Sequence, residues 1–272
     1  MIDPVIEIKN LSVSYETENS TYEALKEINL TINRGQFICI VGSSGCGKST
    51  LLSVLAGLQP VTNGSVTING KEIHGPGAER AVVFQSYSLF PWMTALENVS
   101  FAVYETNKKR GTKLSKKEAA EIAKTYLKRV ELSSFENQLP GELSGGMQQR
   151  VAIARAMACD PEILLMDEPF GALDAKIREN LQGLILKMWG EEEKKKTIVF
   201  VTHDLHEAEL LADRIVFMVP KRIYAVIDDT LPRPRNYASI QESSEYKALY
   251  QKLVKYFYNE TTQLVNDEGA YI

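Results

Sequence analysis

Two kinds of hydrophobic pattern alternate along the chain. Residues 5–13 ("VIEIKNLSV") switch between apolar and polar positions, the period of a half-buried strand. "FICIVG" (37–42) is an unbroken apolar run, as in a strand covered on both faces. "GSVTINGKEI" (64–73) alternates again and carries Asn69-Gly70, a hairpin signal. "AVVF" (81–84), "EILLMD" (162–167), "TIVFVT" (197–202) and "RIVFMV" (214–219) read as further apolar strands. Helical spacing covers 50–58, 116–130, 147–158, 174–189 and 204–212. Residues from about 90 to 155 hold no strong strand and read as a helical insertion. The pattern predicts an α/β fold with a mainly parallel core sheet and an antiparallel β part near the N-terminus.

From about residue 221 the character changes. "IYAVIDDTLPRPRN" is extended and broken by prolines. "SEYKALYQKLVKYFYNE" (244–260) then places Leu249, Leu253, Tyr256 and Phe257 at helical spacing. An amphipathic tail helix packed on its own domain is expected, with a docking helix for a partner as the alternative. The pattern holds no internal repeat.

Composition narrows the function classes. Apolar residues make up 44% and charged residues 24% of 272, as in a soluble globular protein. A formal net charge of -4 gives no global basic field for nucleic acid. The lysines of Lys108–Lys113 and Lys194–Lys196 read as solvated surface. Glu191 and Glu192 each precede a lysine by four residues, which favours a helix end there. Cys39, Cys46 and Cys159 lack metal-ligand spacing and read as reduced thiols. The N-terminus has no secretory pattern, and no apolar run reaches the roughly 18 residues of a membrane span. Membrane association is therefore expected to be peripheral, through a partner.

The strongest chemical signal is "GSSGCGKST". Gly42, four residues, then Gly47-Lys48-Ser49 match a phosphate-binding loop, with a strand before and a helix after. Glycines let backbone N–H groups converge on phosphate, and the helix N-terminus adds donors and a favourable dipole. Lys48 would reach the β- and γ-phosphates, and Ser49 would offer its hydroxyl to Mg2+. In "ILLMDEP", Asp167 leaves its strand at the carboxyl edge, where open α/β sheets bind ligands, and can hold the metal. Pro169 is expected to force Glu168 into an extended conformation, facing the γ-phosphate, where it could orient or deprotonate water. Two more strands end in polar residues, at Gln85 and just before His203. A histidine after a strand is by itself more often structural; at the same sheet edge it could bond the γ-phosphate and the attacking water. "ELSGGMQQR" (142–150) looks like a second anion turn without its lysine.

Together these residues resemble the nucleotide-binding subunit of an ABC transporter, over residues 5–220 and in the family's order. The resemblance implies a P-loop NTPase fold, ATP as substrate and Mg2+ as cofactor. It adds Tyr15 as an aromatic stacking on adenine, and Ser43, Ser44, Gly45, Cys46 and Thr50 as further phosphate-loop residues. It makes Gln85 the glutamine that contacts Mg2+ and water and senses the membrane subunit. "LSGGMQQR" matches the family signature, whose Ser144, Gly145, Gly146 and Gln148 would face ATP held by the Lys48 of a second copy. "GALD" (171–174) matches the loop carrying Asp174, with Gly171 where serine is commoner. His203 matches the switch histidine. The implied domains are an ATPase domain over 1–220, with its helical subdomain at about 90–155, and an extension over 221–272.

"FQSYSLFPWMTALENVSFAV" and "LPRPRN" are similar to the nitrate, sulfonate, taurine and bicarbonate importers. That similarity implies a homodimer at the cytoplasmic face of the inner membrane, two permease subunits and an extracytoplasmic solute-binding protein. Phe90 and Trp92 would either line the groove for a permease helix or sit in the core. One departure is "MVPKRIYA" (218–225), where relatives turn through glycine. Rival readings are a lipoprotein-release or export ATPase, a soluble ABC ATPase, or a P-loop kinase. The last leaves the signature, "GALD" and His203 unexplained.

Overall fold

Two long strands open the computed structural model, which describes residues 3–17, 20–171, 173–191, 195–235 and 243–267. β1 (Pro4–Thr17) and β2 (Ser20–Asn33) pair antiparallel, from Pro4 opposite Asn33 to Thr17 opposite Ser20. The hydrophobic pattern does not announce β2. Its buried positions run Ala24, Leu25, then Ile28, Leu30 and Ile32, so the alternation slips by one. The slip has a physical origin at Glu27, which takes a φ of 50° and donates its N–H to Ser12 Oγ at 3.0 Å. It is a bulge, and it defeats a period-2 search. β4 (Asn63–Ile68) pairs with the other edge of β1 and turns into β5 (Lys71–Glu72). Asn69 and Gly70 carry φ values of 51° and 72° there, as a two-residue hairpin requires.

The chain divides into two compact units: Met1–Leu55, Gln59–His74 and Phe200–Ile272 form one, and Ala56–Leu58 with Gly75–Val199 the other. The first holds the antiparallel sheet β2-β1-β4-β5. It also holds β3 (Phe37–Gly42), buried at all six residues, which runs parallel to β9 (Arg214–Val219). β10 (Arg222–Asp228) returns antiparallel to β9. The turn between them takes Lys221 to a φ of 70°, the left-handed region that favours glycine, so the departure from glycine here keeps a glycine-type turn. Two backbone hydrogen bonds hold it, Lys221 N–H to Cys46 at 3.0 Å and Lys26 N–H to Lys221 at 2.8 Å. They offset the roughly 1–2 kcal/mol that a side chain costs in that conformation.

α1 (Lys48–Ala56) follows β3. α6 (Leu205–Leu211) and the tail helix α7 (Ser244–Asp267) complete the helices of the first unit. α7 packs on its own unit, as its spacing predicts. Tyr246 and Leu253 are buried, Leu249 joins Leu231, and Tyr256 and Phe257 meet Phe217 edge-on. The side chains of 258–260 lie outside the described residues.

The second unit contains the parallel pair β6 (Arg80–Val83) and β7 (Ile163–Asp167). Its helices are α2 (Ala95–Lys109), α3 (Lys116–Arg129), α4 (Gly145–Ala158) and α5 (Ala175–Gly190). Thr94 with Glu97, and Ser115 with Glu118, form capping boxes that start α2 and α3. Val99, Val103, Ala119, Ala123, Leu127 and Val151 form the buried seam of α2, α3 and α4. β8 (Thr197–Thr202), buried throughout, is divided between the two units at Phe200.

One lysine cluster is not wholly surface. Lys196 is buried and ion-paired with Asp160 at 2.6 Å, while Lys195 stays exposed above the Trp189 ring. Glu191 caps the end of α5 as expected, whereas Glu192 and Lys194 lie outside the described residues. All three cysteines are buried, and none is joined in a disulfide. Among the described residues no helix is long and apolar enough to cross a membrane.

Candidate functional site

In the first unit the glycine-rich loop joins the buried strand β3 to the start of α1. A Cβ at Gly42 would lie 2.3 Å from the Met218 carbonyl oxygen. One at Gly47 would lie 2.7 Å from Leu25 Cδ2, on a backbone with φ of 110°. Glycine at both positions lets the loop lie flat against β9 and β2. Lys48 is buried, and its Nζ donates to the carbonyls of Gly42 and Ser43, each at 2.9 Å. The ammonium is thus folded back across the loop at the N-terminus of α1. Ser44, Gly45 and Ser49 are exposed, Ser43 and Thr50 are half-buried, and Cys46 is buried. An exposed loop with a lysine at a helix N-terminus suits a phosphate group.

The other residues of this unit are Tyr15 and His203. Tyr15 is 37% exposed on β1, opposite Tyr22. His203 is exposed, directly after β8 and before Asp204, the residue that caps α6.

In the second unit Asp167 ends β7, and Glu168 follows it, both half-buried. Glu168 does not take the expected extended conformation. Its φ is 40°, and the chain turns there, closed by Gly171 N–H to Glu168 carbonyl at 3.2 Å. Pro169 excludes the right-handed helical region for Glu168, and the turn selects the left-handed one. The same turn gathers two candidates. The ideal Cβ position on Gly171 lies 3.6 Å from Gln85 Nε2 and 3.8 Å from Glu168 Oε2.

Ser144 caps α4, its Oγ accepting the Met147 N–H at 3.4 Å. Ser144 is exposed, Gly145 half-buried and Gly146 buried. Gln148 Nε2 donates to the Leu143 carbonyl at 3.1 Å. Asp174 is exposed and caps α5 through the Ile177 N–H at 3.0 Å. Ala172 lies outside the described residues.

Trp92 is 70% exposed, so it is no core aromatic. With Phe101, Tyr104 and Lys116 it lines a cavity of about 450 Å³. Phe90 contacts both Trp92 and Phe101, with ring centroids 5.6 Å apart in each case. Buried Asn98 fixes this wall by accepting the Phe90 N–H at 2.8 Å and donating to the Phe90 and Met93 carbonyls.

Two residues near the site escape the motif reading. One is Asn98; the other is Arg155, which donates to the carbonyls of Tyr87 and Ser88 just after Gln85. A single arginine within the run "VAIARAMA" was its available signal. Burial lowers the pKa of its guanidinium.

Comparison with known proteins gives a consistent result. A sequence model described as ABC transporter matches residues 25–171. The chain is 47% identical to an uncharacterized ABC transporter ATP-binding protein of Methanocaldococcus jannaschii, over 92% of this chain and 91% of that one. It is 44% identical to the bicarbonate transport ATP-binding protein CmpD of Synechococcus elongatus, covering 94% and 91%. With the nitrate transport protein NasD of Klebsiella oxytoca the identity is 41%, covering 94% and 97%. The solved ATP-binding cassette MJ0796, in a dimeric post-hydrolysis state bound to ADP and Pi, matches with a TM-score of 0.74 and 36% identity. That match covers 84% of this chain and all of the cassette. The chain belongs to the ABC transporter family, and its α/β fold is that of an ABC ATPase cassette of the P-loop class.

Proposed function

We propose that this protein is the ATP-hydrolysing subunit of an ABC importer for a small anionic solute of the nitrate, sulfonate, taurine or bicarbonate type. The observation that carries the reading is the loop 42–50, with the buried Lys48 folded across it at the start of α1. Relatives at 41–44% identity that bear nitrate and bicarbonate transport names support the solute class. In this reading residues 1–220 are the ATPase domain, 90–155 its helical subdomain and 221–272 an extension.

Lys48 and the N–H groups of the loop would bind the β- and γ-phosphates, and Tyr15 would stack on the adenine. Ser49, Asp167 and Gln85 offer the hard oxygen donors that Mg2+ prefers. When bound, Mg2+ would neutralise charge on the β- and γ-phosphates. Glu168 would orient the attacking water and take its proton, and His203 would bond the γ-phosphate. Ser144, Gly145 and Gly146, with the N-terminus of α4, would meet the ATP of a second copy and close a homodimer around two nucleotides. The exposed wall around Trp92 and Phe101 suits a permease helix, which would hold the subunit at the cytoplasmic face of the membrane. An extracytoplasmic binding protein would deliver the solute.

The test is Glu168→Gln. It should abolish steady ATP turnover, keep ATP binding and trap a dimer on size exclusion in ATP. Wild-type turnover by this variant would remove the role given to Glu168.

A further inference from the structure

α6 has only seven residues, too short to be stable by its own hydrogen bonds. Yet its first turn holds the chain on both sides of His203. Before it, Thr202 Oγ1 donates to Glu207 Oε2 at 2.5 Å and accepts the Asp204 N–H at 2.9 Å. After it, Asp204 Oδ1 accepts the N–H groups of His206 at 2.8 Å and Glu207 at 3.4 Å. Thr202 and Glu207 are buried, so this is a built framework with an exposed imidazole at its centre. The backbone at 202 and 204 therefore moves only if the first turn of α6 moves.

That first turn is clasped by the tail helix. The Tyr246 hydroxyl and His206 Nδ1 share a hydrogen bond of 2.5 Å. The His206 ring also stacks on Tyr250, with centroids 4.6 Å apart and planes at 11°. Tyr246 is itself buried against Leu231 and Leu249, so it is a fixed anchor rather than a mobile one.

We propose that Tyr246 and Tyr250 of the tail helix are positioning residues for ATP hydrolysis: through His206 and the first turn of α6, they set the place of the His203 imidazole. The proposal rests on reading His203 as the group that meets the γ-phosphate. A side chain held on a framework of hydrogen bonds keeps its geometry to fractions of an ångström, and displacement on that scale alters chemistry more than binding.

The chain has three histidines, His74, His203 and His206. Their ring signals in the full-length, 15N-histidine-labelled protein can be assigned with single His→Gln variants. Tyr246→Phe removes one hydroxyl and keeps the ring. It should move the signals of His206 and His203 and leave His74 in place. ATP turnover should fall about threefold to tenfold, with KM for ATP within about twofold, because the loss is one of geometry. Tyr250→Leu, which removes the stack instead, should act in the same direction. Unmoved His203 signals while those of His206 shift would overturn the proposal. So would wild-type turnover by both tyrosine variants when His203→Gln is inactive. Full turnover by His203→Gln would instead remove the role given to His203 itself, and the proposal with it.

Discussion

Arg155 clamps Tyr87. The guanidinium donates to the Tyr87 carbonyl at 3.0 Å and to that of Ser88 at 2.7 Å. Both residues have positive φ, 58° and 49°, so the chain after Gln85 makes a tight left-handed turn. Arg155 lies on α4, the helix capped by Ser144. At the other end of that helix the Tyr87 hydroxyl lies 3.0 Å from the ideal Cβ position of Gly145. The loop bearing Gln85 is thus hydrogen-bonded to the signature helix at Arg155 and packed close to it at Gly145.

Arg155→Met should therefore release the Gln85 loop while leaving the phosphate loop intact. Hydrogen bonds from a charged donor contribute about 1.5–3 kcal/mol each, so the melting temperature should fall as well. ATP turnover should drop about tenfold or more, with the dissociation constant for ATP within about twofold. Arg155→Lys should recover little, since a single ammonium nitrogen cannot stand in both places of Nη1 and Nη2, which bond the two carbonyls separately. Unchanged turnover in the Met variant would show that the clamp serves stability alone.

Gly47 and Gly45 make a matched pair for testing the phosphate loop. A methyl at Gly47 would strike Leu25 Cδ2 at 2.7 Å and the Ala24 carbonyl at 2.9 Å, whereas at Gly45 it would meet nothing within 4 Å. Both backbones have positive φ, so each alanine carries a conformational cost of about 1–2 kcal/mol. Only Gly47→Ala must also displace the backbone of β2. It should lose at least tenfold in ATP affinity, about 1.4 kcal/mol, and melt at lower temperature than Gly45→Ala. Fluorescent-nucleotide titration and thermal melts measure both. Equal behaviour of the two variants would contradict the packing described for Gly47.

Where sequence and structure agree, one local pattern determines one local structure. "FICIVG" becomes buried β3, and Asn69-Gly70 becomes a hairpin. The phosphate loop stands between strand and helix, as its motif requires. What was not legible depends on backbone conformation or on contacts distant in sequence. β2 hid because the bulge at Glu27 shifts its period. Glu168 was placed in the wrong conformation because the restriction from Pro169 rules out one region without choosing among the rest. Arg155 and Tyr246 find their partners 68 and 40 residues away, a relationship that periodicity does not encode. Lys196 looked like surface because nothing near it in sequence announces Asp160.

Ser144→Arg tests the dimer reading. Ser144 is exposed at the N-terminus of α4, and its hydroxyl contributes only a 3.4 Å cap bond. Losing a serine cap costs about 1 kcal/mol, which the fold should tolerate. A guanidinium there would fill the place that the resemblance gives to a second copy's nucleotide. ATP binding by the monomer should stay within about twofold. The ATP-induced dimer of the Glu168→Gln background should disappear from sedimentation profiles. Loss of ATP binding by the monomer would contradict an arrangement in which Ser144 serves another chain's nucleotide.

Glu209 gives the tail region a pH dependence. Its side chain is fully buried on α6, facing Tyr246 from α7, Asp204 from the cap of α6, and the ion pair of Asp229 with Arg235. Among the described residues neither carboxyl oxygen has a hydrogen bond of normal geometry, although the Tyr246 hydroxyl is near enough to lower the pKa somewhat. Burial dominates and pushes the pKa from 4.5 up to about 8. The folded chain therefore holds a proton on Glu209 that the unfolded chain has released above pH about 4.5. Stability from this group is full below that pH and is lost as the pH rises through about 8. Burial raises the pKa of Asp229 too, which gives a slope of the same sign. The melting temperature should fall between pH 6 and pH 9, by about 2–4 °C for each kcal/mol lost. Glu209→Gln copies the shape of the protonated acid without its titration. It should flatten most of that slope and melt above the wild type at pH 9. An undiminished slope in the Gln variant would place the titration on another group. A variant less stable than wild type at pH 9 would show that Glu209 is held as a carboxylate.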